Sequence, residues 1–311
     1  MNSSPSEQKR TIVVTGASTG IGFEVARQSA MRGARVFLVS RDPGRLEVAR
    51  RQILVGAPEA ELETFPTDLS SLKEVRRLAE GISRRPPVHI LLNNAGAVFA
   101  RRQLTPEGHE RTWALNVLGP FLLTNLLKPT LTFAAPARVV NVSSAAHRSG
   151  RMHWEDLEGE QRYRAYRLYS QSKLAVLLMT YEMARRWRSS RISVNACHPG
   201  FVRSRFGQNN PGLYGRGFRI LEMLFGISPK RGAETPLHLA FDPVGGSHSG
   251  GYFSHGAPVP SSRRSYRAGD ALRLWELLED QTGLRSSVSP AGDGRSPASL
   301  RLDAASMGTS G

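Results

Sequence analysis

At 311 residues and 40% hydrophobic content, the chain can bury a substantial core in one large domain or two small ones. Its single cysteine, Cys197, excludes an intramolecular disulfide and a multi-cysteine metal site. The net charge is +16, but the 42 basic residues are scattered and form no basic arm, so the charge reads as solvated arginine plus a phosphorylated ligand rather than as a specific nucleic-acid interface.

Residues 1–10 are polar, lack an apolar h-region and read as a flexible tail without a signal peptide. No window of about 18 apolar residues argues for a transmembrane helix. A cytoplasmic location is expected, with peripheral membrane association as the alternative.

Thr11–Thr15 is a short β-branched run suited to a strand buried on both faces. It leads directly into Gly16-Ala-Ser-Thr-Gly20-Ile-Gly22 and an apolar-periodic helix from about Ile21 to Arg32. Glycines at 16, 20 and 22 let the backbone turn tightly beside a phosphate, and the helix N-terminus offers free N–H groups. Arg35–Ser40 is a second strand, which closes a βαβ unit. An acidic residue at its end would bind a ribose 2′-hydroxyl; here Arg41 follows, with Arg45 a turn later, and an arginine accommodates a 2′-phosphate. NADP(H) is therefore expected over NAD(H). The alternative is that Arg41 is an ordinary loop charge, and Asp42 is the residue that speaks for it.

Alternation continues with a helix over about 44–54, a strand at Leu62–Pro66, and Asp68-Leu69 where a side chain could reach an adenine edge. A helix at about 72–83 precedes a strand at 88–92, which ends in Asn93-Asn94-Ala95-Gly96. Small residues there let a flat ligand approach; a simple turn is the alternative. A long helix is expected over about 106–128, containing Asn116, and an asparagine inside an apolar helix caps a kink, is satisfied by a neighbour, or serves a proton relay. A fifth strand, 138–143, brings Ser143 and Ser144 to the same sheet edge as the glycine turn.

The polar stretch 145–162 carries His147 and His153, read as loop or substrate-wall residues. A helix over about 164–188 carries Tyr169 and Lys173, four apart and on one face. A phenol near pKa 10 works as an acid or base at neutrality only if something lowers it, and a neighbouring ammonium does so. A sixth strand, 191–197, runs into His198-Pro199-Gly200, and Cys197 reads as a buried small residue. Residues of about 201–229 mix aromatic and aliphatic side chains with Gly and Pro. They suggest a lid over an apolar substrate, with a core flap or dimer contact as the alternative; Arg203, Arg205, Arg216 and Arg219 also allow a membrane-surface role. A helix at 231–241, a short final strand at 250–254 and a last helix at 266–280 follow; from 284 the composition reads as disordered.

Thr15-Gly-Ala-Ser-Thr-Gly-Ile-Gly22, Asn93-Asn-Ala-Gly96, Asn116, Ser144 and Tyr169-x-x-x-Lys173 together resemble the short-chain dehydrogenase/reductase superfamily, over about residues 11–283. The 25-residue gap from Ser144 to Tyr169, with Ala146-His147 and His198-Pro199-Gly200, resembles its retinol dehydrogenase-type branch. The resemblance implies an α/β fold: one doubly wound Rossmann-type domain around a mostly parallel seven-stranded sheet flanked by helices. It implies NADP(H)-dependent interconversion of a lipophilic alcohol with an aldehyde or ketone, without a metal, in a monomer or homo-oligomer. It assigns Tyr169 as acid/base, Lys173 to lower the Tyr169 pKa and hold the nicotinamide ribose, Ser144 rather than Ser143 to the substrate oxygen, and Asn116 to a water near Lys173. It assigns the pyrophosphate to Gly16, Ser18, Gly20, Ile21 and Gly22, the 2′-phosphate to Arg41, and adenine to Asp68 and Leu69. Asn94 falls on the adenosine ribose side, with Ala95 and Gly96 beside the ligand, and Pro199-Gly200 borders the nicotinamide. A non-catalytic NADP-binding scaffold and an anionic-surface binder are the competing function classes.

Overall fold

Strand residues alternate between two apolar clusters, one on each face of a central sheet. Val13, Phe37, Leu91, Val139 and Val194 point to one face; Ile12, Val14, Val36, Leu38, Leu92, Val140 and Cys197 point to the other. Both faces of the strands are therefore apolar, as a sheet covered by helices on both sides requires. The computed structural model describes residues 9–200 and 228–284. Most of the expected tails, and nearly all of the stretch read as a lid, lie outside the described residues.

Strands β1 (Thr11–Thr15), β2 (Arg35–Ser40), β3 (Leu62–Pro66), β4 (Ile90–Asn93), β5 (Ala137–Val142), β6 (Ile192–His198) and β7 (Tyr252–Ser254) are parallel, in the order β3-β2-β1-β4-β5-β6-β7. The chain grows from β1 through β2 to β3, then returns to lay β4 on the other side of β1. This reversal opens a crevice at the carboxyl ends of β1 and β4, the place where open α/β sheets bind ligands. Helices α1 (Gly20–Met31) and α2 (Pro43–Gly56) supply one covering layer, and α3 (Leu72–Ser83) belongs to the other.

The sheet has eight strands rather than seven. β8 (Ala257–Pro258) is antiparallel to β7, with Ser254 opposite Ala257. The two-residue turn between them places His255 at φ 50° and Gly256 at φ 75°, the positive pair that a tight hairpin requires. A two-residue strand is too short to show periodicity.

The long helix expected over 106–128 is instead three pieces, α4 (Arg111–Trp113), a π-helical segment (Ala114–Leu118) and α5 (Gly119–Leu126), followed by the separate α6 (Lys128–Phe133). Gly108 at φ 88° turns the chain after Pro106, and the buried Glu110 caps α4 by accepting from Trp113 N–H at 2.8 Å. Pro120 lacks the N–H that would return to the Asn116 carbonyl four residues back, which accounts for the widened turn around Asn116. Helix α7 (Ala165–Arg186) carries Tyr169 and Lys173. Helices α8 (Pro229–Phe241) and α9 (Pro243–Ser247) precede β7. The last helix, α10 (Ala268–Thr282), starts two residues later than expected, after a 3-10 turn at Arg263–Tyr266, and stops at Gly283, φ 65°. Trp275 of α10 packs edge-on against Phe121 of α5, 4.9 Å between centroids.

Candidate active site

The glycine turn is held by the end of β4. Thr15 Oγ1 donates to Leu92 O and accepts from the N–H groups of Asn94 and Ala95, while Asn94 Nδ2 donates to Thr15 O at 2.8 Å. The Asn94 amide also fills the space beside the glycines: a Cβ on Gly22 would lie 2.6 Å from it and 2.3 Å from Gly16 O. Gly16 and Gly20 have φ of 69° and 61°. No side chain caps α1 at Thr19, and its first turn holds no acidic residue. Its leading N–H groups and positive dipole end are thus left for an anion at the sheet edge, an arrangement that fits a dinucleotide pyrophosphate.

At the adenosine end, Ser18 Oγ and Ser40 Oγ are 2.9 Å apart. Arg41 is 57% exposed and reaches the Asp68 carboxylate at 4.0 Å. Arg111 approaches the same carboxylate at 3.7 Å and stacks over Phe99. The other Asp68 oxygen accepts from Ser70 N–H and Oγ. Leu69 is buried in the core, and its carbonyl lies where a Cβ on Gly119 would meet it. An exposed guanidinium next to two serine hydroxyls fits a 2′-phosphate.

The groups that the resemblance assigns to proton handling converge where β4, β5 and α7 meet. Asn116 Oδ1 accepts from Ala97 N–H at 2.9 Å; its Nδ2 donates to Ala97 O at 3.0 Å and to Ser172 Oγ at 2.9 Å. Gly96 packs against this pair, since a Cβ there would lie 3.1 Å from Asn116 Oδ1 and 3.3 Å from Lys173 Nζ. Lys173, 4% exposed, donates to Val142 O at 3.0 Å, and its Nζ lies 5.8 Å from the Tyr169 ring centroid. Burial holds the ammonium down to about 8.

Tyr169 is half-buried, and its phenol is hydrogen-bonded with the Ser144 hydroxyl. Burial pushes the phenol up to about 12, opposed by the Ser144 bond. The expected lowering by Lys173 is not among the influences on the phenol here; burial dominates, with Ser144 opposing it. Ser143 faces away: its hydroxyl donates to Lys173 O at 2.9 Å and fixes α7 to β5. Pro199 and Gly200, the latter at φ 89°, close the edge after β6.

Sequence reasoning missed several supports of the site. His147 is not a loop or wall residue but fully buried: its Nδ1 lies 2.7 Å from Ser144 O, and its Nε2 accepts from Ser262 N–H at 3.1 Å. A donor proton on Nδ1 satisfies both bonds at once. Asn93, Asn141, Thr124 and Thr180 form a buried polar ladder that joins β4 and β5 to α5 and α7. Asparagines inside apolar strands were the available signal. Cys197 is fully buried, as read.

The profile of the short chain dehydrogenase family matches residues 10–211. Human retinol dehydrogenase 11 is 39% identical over 278 residues, covering 88% of this chain and 86% of its own; human retinol dehydrogenase 12 is 39% identical over 280 residues, covering 89% and 87%. Among solved structures, an uncharacterized protein from Mycobacterium paratuberculosis superposes with a TM-score of 0.73 at 36% identity, covering 90% of this chain and 95% of that one. RhlG from Pseudomonas aeruginosa, solved as an active-site complex with NADP, superposes at 0.62 with 27% identity, covering 78% and 93%. The chain belongs to the short-chain dehydrogenase/reductase family, in its retinol dehydrogenase-like branch, and is an oxidoreductase of alcohol and carbonyl groups.

Proposed function

We propose that the chain is an NADP(H)-dependent oxidoreductase that interconverts a lipophilic alcohol with its aldehyde or ketone. The observation that carries the reading is the hydroxyl pair of Ser144 and Tyr169 beside the buried Lys173. The cofactor, held at the glycine turn, α1 and Arg41, supplies the hydride chemistry when bound. In the reducing direction Ser144 donates a hydrogen bond to the carbonyl oxygen and steadies its developing charge. Tyr169 gives its phenolic proton to that oxygen, and Lys173 stabilises the phenolate left behind. In the oxidising direction Tyr169 takes the hydroxyl proton. The Asn116 side chain is spent on Ala97 and Ser172, so its part in proton exchange falls to its carbonyl, which Pro120 leaves without the usual helical partner.

The retinol dehydrogenase names of its relatives support a lipophilic substrate. Arg41 beside the Ser18–Ser40 pair supports NADP(H) over NAD(H). Packing of Trp275 on the fully buried Phe121 supports a monomer, checked by light scattering after size exclusion. No helix among the described residues is long and apolar enough to cross a membrane. A cytoplasmic location is part of the proposal.

The test is fluorescence titration with NADPH and NADH, for wild type and Arg41→Asp, followed by a screen of lipophilic aldehydes and ketones. Tighter NADPH binding that is lost in the variant supports the assignment; equal affinities overturn it. Tyr169→Phe is expected to keep cofactor binding and to lose turnover by 100-fold or more. NADPH binding without turnover of any carbonyl by wild type would favour the scaffold reading.

A further inference from the structure

The amino-terminal edge of the sheet, opposite the crevice, holds a cavity of about 720 Å³. Its floor is the start of β4, β5 and β6, and its walls come from the end of α7 and the start of α10. Six arginines line it: Arg10, Arg138, Arg185, Arg188, Arg191 and Arg267. Glu182 is the one carboxylate in the lining, and it is spent on Arg185 and Arg186. Arg267 has Asp270 at 3.8 Å. Arg10, Arg138, Arg188 and Arg191 have no ion pair among the described residues.

The remaining groups add no negative charge. His89 accepts from Thr11 N–H through Nδ1, and burial holds its pKa below the usual range, so it is neutral. Arg138 is half-buried with Nη1 on Leu239 O and Asp242 O, which positions its guanidinium without neutralising it. Burial first and the Arg10 charge second hold Arg138 below its ordinary value, with the Asp242 carboxylate opposing them. Four guanidinium groups without an ion pair among the described residues, around one concavity, constitute a focused positive potential.

We propose that this cavity binds a small molecule carrying two or more phosphate groups, at a site separate from the cofactor crevice. Guanidinium forks match phosphate oxygens in pairs, and four of them exceed what one monoanion satisfies. The volume falls in the range of small-molecule sites and argues for a compact soluble ligand rather than an extended polymer. The six-residue β5 separates the two edges by roughly 20 Å, so phosphates at the glycine turn cannot reach it. The site gives part of the +16 charge a purpose independent of hydride transfer.

The probe is inorganic tripolyphosphate, titrated calorimetrically into the full chain at low and moderate salt. One saturable site that weakens with salt is expected. Arg188→Glu/Arg191→Glu should weaken it at least tenfold and Arg188→Gln/Arg191→Gln by less, both leaving the NADPH titration and the melting curve in place, since these side chains are exposed. Arg41→Asp should leave tripolyphosphate binding unchanged. No saturable binding, binding that survives the double charge reversal, or binding lost in Arg41→Asp would each overturn the proposal. So would capture by phosphatidic acid vesicles without binding of free tripolyphosphate, which would make the face a membrane contact.

Discussion

Asn116 and Ala97 exchange two hydrogen bonds, Ala97 N–H to Oδ1 at 2.9 Å and Nδ2 to Ala97 O at 3.0 Å. The side chain thereby does for the chain after β4 what a neighbouring strand would do, and it fastens that segment to the π-helical turn. Asn116→Ala leaves both backbone groups of Ala97 buried without partners. A loss of about 2–4 kcal/mol is expected in urea unfolding. Asn116→Asp keeps the acceptor, loses the donor and places a charge near Lys173. It should cost less stability than alanine yet still impair turnover; equal stability of wild type and Asn116→Ala would refute the bridging role.

Lys173 is buried in its charged form at neutral pH, and folding pays a desolvation cost for it. Its pKa is about 8 in the folded chain against the ordinary lysine value of 10.5. Between those values the unfolded chain binds more protons, so this group's contribution to stability rises with pH from about 8 upward. Below 8 both states are charged and the full cost, about 3 kcal/mol, is present. Lys173→Met should therefore be more stable than wild type at pH 7, with the gap narrowing by pH 9.5, while turnover falls about 10²–10⁴-fold. Urea unfolding at the two pH values checks the sign, and a variant less stable at both would contradict it.

His147 and His198 are held neutral by burial, His198 down to about 4. The unfolded chain takes up their protons near pH 6.5, so stability from both is lost as pH falls below about 6.5. His147→Leu deprives Ser144 O and Ser262 N–H of their shared partner. It should cost about 2–4 kcal/mol at pH 7 and should flatten the acid limb of the stability profile. An unchanged acid limb would mean that His147 is not one of the groups responsible.

Gly22 has no room for a methyl group, because its Cβ would sit 2.3 Å from Gly16 O and 2.6 Å from Asn94 Nδ2. Those neighbours are backbone and an amide hydrogen-bonded to Thr15 O, on a residue whose own N–H is bonded to Thr15 Oγ1. Gly22→Ala should lower stability by about 3 kcal/mol and abolish nucleotide binding. Gly33→Ala is the control: φ 78° strains it, but no atom lies within 4 Å, so only a local loss of about 1 kcal/mol is expected and nucleotide binding should persist.

Much of the fold was legible in the residues themselves. A β-branched run placed β1, and the alternation of strand and helix placed β2, β3 and α3, all at their observed bounds. Alternation of strand and helix dictated a parallel sheet, because parallel neighbours need crossovers. Carboxyl ends of such strands share one edge, which gathers the glycine turn, Asn94 and Ser144; Tyr169, on a helix, joined them through the family resemblance. Elements decided by only a few residues escaped: the β7–β8 hairpin, the break at Gly108, and the π-helical turn whose one local cause is Pro120.

The sequence by itself determined which residues stand at the carboxyl ends of the strands, since alternation of strand and helix makes neighbouring strands parallel. Only the tertiary structure decided how each is held. Asn94 locks the glycine turn from another strand, Ser143 points away while Ser144 meets Tyr169, and His147 joins Ser144 to a segment 115 residues distant. Burial, opposed by the Ser144 hydrogen bond, governs the Tyr169 phenol. These are long-range contacts and desolvation, which no local pattern of residues encodes.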